Sequence, residues 1–253
     1  METEMIVYDI HCHLYEYNDE EIARLFEEDK NLRVVAVSDD RESLIRTVAL
    51  GQAYPDRVIP CAGFHPWNLK RERGSTEAEE ILRLAYRLDI SCLGEIGLDA
   101  KFLSDHTLQI QKEILAKFLL LAREVPVFLV LHSPDAWKEV FLMLVEHDID
   151  KAVFHWYTGS INLAQLIATR GYKISINPAV RVQEKHAQVA KSVPLDSIVL
   201  ESDAPYDYKG LKLSPLMIRE TLKFLAEVRR RSVEELLEIV RENSEKLIGR
   251  ALV

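Results

Sequence analysis

Five of the eight histidines in this 253-residue chain are spaced as reactive or metal-binding groups would be. His11 and His13 stand two residues apart. His65, His132 and His155 each close a short apolar, β-branched run. Two acids share that setting, Glu95 in Gly94-Glu95-Ile96-Gly97-Leu98-Asp99 and Asp203 in Glu201-Ser202-Asp203-Ala204-Pro205. Side chains two apart on a strand point to the same face, so His11 and His13 face one way. Two inward imidazoles beside two inward carboxylates form a costly arrangement without a cation, because an ionised carboxylate buried without a partner is strongly unfavourable. A divalent metal removes that cost. His106, His147 and His186 fall among polar neighbours on expected helices and read as solvated surface residues.

The elements that must carry these residues form a regular alternation. Short β-branched runs predict strands over 5–10, 33–37, 57–61, 91–95, 126–131, 151–154, 172–176 and 197–200. Helical periodicity follows each run, over 19–28, 41–54, 76–88, 105–123, 135–147, 161–170, 183–191 and 215–230. A final helix over 232–246 opens with a capping-box pattern, Ser232 and then Glu235. Strands alternating with helices require a parallel sheet. Eight such units in a chain of this length predict an α/β fold of the (β/α)8 TIM-barrel type, a single domain over 1–253. An open doubly wound sheet is the alternative. In a parallel barrel the C-terminal ends of the strands carry the active site, and all seven residues above sit at such ends.

Composition bounds the function. Hydrophobic residues make up 48 % of the chain and charged residues 29 %, enough apolar surface for a packed core rather than disorder. The net charge of −9 argues against a basic face that wraps duplex DNA. The longest apolar run, 125–131, is far short of the roughly 20 residues of a membrane span. Three well-separated cysteines, Cys12, Cys61 and Cys92, suggest no disulfide framework. No secretory signal opens the chain, and a cytoplasmic location is expected. Oligomeric state leaves no mark in the sequence.

The order of these residues resembles the amidohydrolase superfamily, and the local motifs are similar to the TatD-type metal-dependent DNase family. Asp9-Ile10-His11-Cys12-His13-Leu14 resembles the family's opening D-x-H-x-H, and Gly63-Phe64-His65-Pro66 its G-x-H-P. Gly94 to Asp99 resembles G-E-x-G-L-D, His155-Trp156-Tyr157-Thr158-Gly159 resembles H-x-F-[ST]-G, and Glu201 to Tyr206 resembles E-[TS]-D-x-P-Y. The motifs run in family order along essentially the whole chain. The resemblance implies that His11, His13 and Asp203 hold one divalent ion, that His132 and His155 hold another, and that Glu95 bridges them. It implies a phosphate-contacting role for His65 and close backbone turns at Gly94, Gly97 and Gly159. Three departures fall on the substrate side. Pro134 stands where an arginine is common, Ala100 replaces the aromatic usual after G-L-D, and the segment after Pro205 is short.

The implied chemistry is hydrolysis of DNA phosphodiesters, from single-stranded ends, by water activated between two ions of zinc, magnesium or manganese. Asp203 is the expected proton acceptor and Lys101 the expected phosphate contact in place of the missing arginine. Lys70, Arg181, Lys209 and Lys212 lie in loops expected at the same face, as do Trp67, Trp156 and Tyr206, on which bases could stack. The missing arginine also suits a second reading, a hydrolase of a small ester, lactone or amide. A metal-stabilised scaffold is a third, and it gives no reason for His65 beside a full ligand set.

Overall fold

Eight short runs buried on both faces meet side by side, as parallel strands covered by helices require. The computed structural model describes residues 5–70 and 74–249. The strands are β1 (Val7–Cys12), β2 (Leu32–Ala36), β3 (Val58–Pro60), β4 (Cys92–Gly97), β5 (Phe128–His132), β6 (Ala152–Phe154), β7 (Lys173–Ile176) and β8 (Ile198–Leu200). They alternate with α1 (Asp19–Glu28), α2 (Arg41–Ala53), α3 (Gly74–Arg87), α4 (Leu108–Glu124), α5 (Trp137–Glu146), α6 (Ile161–Thr169), α7 (Glu184–Ser192) and α8 (Ile218–Arg229), and α9 (Val233–Ile248) follows. The loop after β8 carries a small antiparallel hairpin, β9 (Asp207–Tyr208) and β10 (Leu211–Lys212).

The expected α/β barrel architecture is present, but its ladder is not continuous. β1-β2-β3 form one parallel arc and β4 to β8 another. One seam is held by the Ala62–Leu93 bridge. The other is held by loop hydrogen bonds, Asp203 N–H to His11 O and His13 N–H to Ala204 O, both 2.9 Å. Flanking strands β3 and β8 have three residues each, too few to extend the ladder. Inside the arcs lies an inner core that includes Tyr8, Ile10, Val35, Phe128, Val130, Val153 and Val199. Outside them, Leu93, Leu131, Phe154 and Ile174 join helix residues such as Ile22 and Leu222 in the larger core.

Alternation alone does not account for the aim of the site residues. On β5, Phe128 and Val130 belong to the inner core, and His132 follows in the same parity. On β1, Tyr8 and Ile10 point inward, so strict alternation would send His11 and His13 outward. The pairing of β1 with β2 shifts register between Asp9 and Cys12, and that of β4 with β5 between Leu93 and Ile96. Each irregularity re-aims the next side chains, bringing His11 on β1, His13 just after it and Glu95 on β4 to the mouth of the barrel.

Several local expectations are corrected. Cys61, just after β3, and Cys92, at the start of β4, form a disulfide, and Cys12 is the buried free thiol; separation in sequence hid their approach across the seam. Ser232 caps α9 through Glu235 N–H, but the Glu235 carboxylate pairs with Arg231 instead of closing the box. Arg181 is paired with Glu220 on α8. No helix among the described residues is long and apolar enough to cross a membrane.

His186 is not a surface residue. It is fully buried, its Nε2 accepts Asn177 N–H at 3.1 Å, and its Nδ1 donates to Tyr157 O at 3.0 Å. Burial pushes its pKa down to about 4, against the opposing pull of Tyr157 O and Glu201. The unfolded chain therefore binds a proton that the folded one refuses, beginning near the ordinary histidine value and continuing down to about 4. Stability should fall through that window by about 3 kcal/mol from this group alone. Urea unfolding of wild type and His186→Gln should show their stability difference shifting by that amount between pH 7 and pH 4. A difference that stays constant with pH would contradict a buried neutral ring.

Candidate active site

The donor atoms converge on Glu95, which is only 2 % exposed. Its Oε2 lies 3.4 Å from His11 Nε2 and 3.5 Å from His13 Nε2. Asp203 Oδ1 lies 3.3 and 3.5 Å from the same two nitrogens, which are 3.2 Å from each other. The other carboxylate oxygen, Oε1, lies 2.7 Å from His132 Nδ1 and 3.7 Å from His155 Nε2. The two oxygens of one carboxylate thus address two separate groups of donors.

These separations suit metal ligands. Two donors each about 2.1 Å from one ion at a tetrahedral angle stand roughly 3.4 Å apart, close to the spacings in the first group. Neutral imidazole with carboxylate oxygen is a donor set that zinc and manganese both accept. The buried groups also need a cation's charge. Burial opposes a proton on His11, yet Glu95 and Asp203 outweigh it and push the pKa up to about 10. Burial likewise opposes charge on His132, but Asp99 and Glu95 raise it to about 9. His13 is raised by Asp39 and Asp203 against the same penalty. Burial would lift the carboxyls, but His155, His11 and His13 hold Asp203 well below the usual range, and His65, His11 and His132 do so for Glu95. A divalent ion held among these donors would balance the acids without those protons.

Three further carboxylates orient the rings. Asp99 Oδ2 accepts from His132 Nε2 at 2.9 Å, Glu201 Oε2 from His155 Nδ1 at 3.2 Å, and Asp39 Oδ1 lies 3.4 Å from His13 Nδ1. An outer carboxylate fixes which nitrogen of a ligating histidine faces the metal. Sequence reasoning missed all three as functional residues. Asp99 and Glu201 stand inside motifs whose chemistry points to their neighbours, and the one signal for Asp39 is its place after β2. Asp9 acts further out. Its Oδ1 accepts Ser202 N–H at 2.8 Å and His11 N–H at 3.3 Å, tying β1 to the loop after β8.

His65 lies within the second group, its Nε2 3.2 Å from His132 Nδ1 and 3.5 Å from Glu95 Oε1. Its Nδ1, however, accepts the backbone N–H of Trp67 at 3.2 Å. The ring proton of neutral His65 therefore sits on Nε2 and points into the site, as a donor rather than a lone pair. Glycine makes the close approach of β4 and β5 possible. Gly97 has φ +151°, and a Cβ there would meet His132 O at 1.8 Å.

A cavity of about 290 Å³ opens above these groups, lined by His65, Trp67, Lys101, Pro134, Trp156 and Tyr206 among others. Lys101 is solvent-exposed at its rim. Lys70, Lys209 and Lys212 are also exposed.

A model of the TatD related DNase family matches residues 8–249. An uncharacterized metal-dependent hydrolase of Methanocaldococcus jannaschii is 30 % identical over 96 % of this chain and 97 % of its own length. The human deoxyribonuclease TATDN3 is 28 % identical over 94 % of this chain and 93 % of its own. The crystal structure of YJJV, a TatD homologue from Escherichia coli K12, superposes with a TM-score of 0.87 at 25 % identity, covering 98 % of this chain and 99 % of that one. With that match spanning every strand that carries a donor, the chain belongs to the TatD-related DNase family of metal-dependent hydrolases.

Proposed function

We propose that this protein hydrolyses DNA phosphodiester bonds from single-stranded ends, using two divalent ions of zinc, magnesium or manganese. The observation that carries the reading is the division of Glu95, one oxygen to each donor group. His11, His13 and Asp203 would hold one ion and His132 and His155 the other, with Glu95 shared between them. Such a pair would supply Lewis-acid charge for the phosphoryl and leaving oxygens and bring water's acidity into the neutral range.

The chain's own groups do the rest. Asp203, whose Oδ1 faces His11 and His13, accepts the proton of the attacking water. His65 donates its Nε2 proton to a non-bridging phosphate oxygen, a role supported by the Trp67 N–H that fixes its tautomer. Asp39, Asp99 and Glu201 keep the ligand rings turned inward. Lys101 meets a neighbouring phosphate from the rim. A small neutral ester, lactone or amide is the second reading, favoured by Pro134 in the cavity wall where an arginine would grip phosphate.

Glu95→Ala should lose bound metal together with activity while far-UV circular dichroism stays unchanged. Full occupancy of both sites in that variant, by elemental analysis, would contradict bridging. His65→Ala should keep its metal and lose turnover by roughly 10²-fold or more, the usual cost of a charge-stabilising or acid–base group. Metal content falling in step with activity would instead make His65 a ligand. Metal-loaded protein offered single-stranded DNA, a lactone and an N-acyl amide should cleave the DNA. The rate at low substrate should fall with salt as for about two or three phosphates, and Lys101→Ala should flatten that slope by about one. Efficient turnover of the neutral substrates with intact DNA would transfer the assignment to the second reading.

A further inference from the structure

The cavity rim carries two aromatic–lysine pairs that the ligand set does not use. On the side of His65 and His132, Trp67 and Phe102 meet edge to face with centroids 5.9 Å apart, and Lys101 Nζ lies 4.8 Å from the Phe102 ring. Trp67 is 43 % exposed and Phe102 57 %, so these rings do not serve the core. On the side of His155, Tyr208 meets Trp156 edge to face at 5.1 Å, and Lys209 Nζ lies 5.2 Å from the Tyr208 ring. The first pair comes from the loops after β3 and β4. The second comes from the loop after β6 and the β9–β10 hairpin.

Both indoles are anchored at their polar edges. Trp67 Nε1 donates to Asp99 Oδ2 and Trp156 Nε1 to Gln183 Oε1, each at 2.6 Å. Anchoring fixes the rings before any ligand arrives, which lowers the entropy lost on binding. An aromatic pair with an ammonium group over one of its rings matches one nucleotide, a face the lysine leaves open taking the base and the cation taking the adjoining phosphate. Phe102 also supplies, three residues after Asp99, the aromatic that Ala100 does not.

The geometry points to a two-sided clamp that stacks one nucleobase on each side of the scissile phosphate, with Lys101 and Lys209 on the flanking phosphates. It rests on the nuclease reading and names what that site takes, an unpaired strand bearing a base on both sides of the cleaved bond. Bases stacked within a duplex have both faces covered and cannot enter both pairs at once.

Short single-stranded oligonucleotides with one cleavable linkage provide the test. The base on one side, on the other, or on both is replaced by a tetrahydrofuran abasic spacer, which leaves the backbone charge unchanged. With wild-type, metal-loaded protein, each missing base should lower kcat/KM by about tenfold or more. Phe102→Leu should abolish the dependence on one of the two bases and Tyr208→Leu the dependence on the other, each with metal content unchanged. Equal cleavage of intact and abasic strands would overturn the clamp and leave the nuclease reading standing. So would variants that slow every substrate by the same factor. No cleavage of any strand by metal-loaded protein would overturn the nuclease reading itself, and the clamp with it.

Discussion

Charge balance in a buried mouth is the constraint on which the rest of this molecule depends. Glu95, Asp203, Asp99 and Glu201 are buried, and Asp39 is only partly exposed. Five ionised carboxylates so close together are tolerable only where each meets positive charge or several donors. The carboxylates push the pKa values of His11 and His132 up, a measure of how strongly the cluster draws positive charge. Two divalent ions would meet that need with four positive charges and leave the imidazoles neutral. Against five carboxylates that leaves a net charge of −1, whereas counting only Glu95 and Asp203 gives +2. The outer acids that orient the histidines therefore reduce the site's attraction for an anion, and the ions themselves must stand next to the phosphate to overcome it.

The backbone serves that charge cluster directly. β1 and β4 each carry three kinds of residue in six positions: inner-core side chains, outer-core side chains and groups for the site. A regular strand offers two faces, and the register shifts supply the extra change of aim. β5 and β6 need no such device, because His132 and His155 continue the inner parity of Val130 and Val153. Where β4 passes β5, Gly97 avoids a clash that any Cβ would make with His132 O. Both seams between the arcs lie beside site residues. Loop hydrogen bonds through His11, His13 and Asp203 stitch one, so the closure of the sheet and the placing of these side chains are the same contacts.

Periodicity made the strand–helix alternation legible, because each strand is a short, largely apolar run and the helices between them carry polar faces. Helix α1 falls on its expected bounds, helped by a reciprocal cap between Asn18 and Glu21. The convergence of His11, His13, Glu95, His132, His155 and Asp203 was legible too, since strand ends in a parallel barrel share one rim. Interactions across the chain were not. Nothing local in the sequence says that His186 turns inward to Tyr157 and Asn177, that Cys61 meets Cys92, or that Glu220 takes the charge of Arg181. Each depends on which loops become neighbours after the barrel forms. The outer acids were hidden differently, because an aspartate beside a histidine motif looks the same whether it orients the ring or faces water.

The chain as a whole carries −9, and the rim offers few cations to offset it. Long-range attraction of a polyanion is therefore weak, and affinity has to come from contacts at short range. Stacking is such a contact, little affected by net charge and by salt, and it asks only that the bases be unpaired. An arginine at position 134 would have added a phosphate grip that works on any strand, paired or not. Proline there, with anchored indoles on either side of the histidine and carboxylate cluster, would in the proposed clamp shift recognition from the backbone to the bases. On the proposed reading, selection for single strands would follow from the same deficit of positive charge that makes tight duplex binding unfavourable.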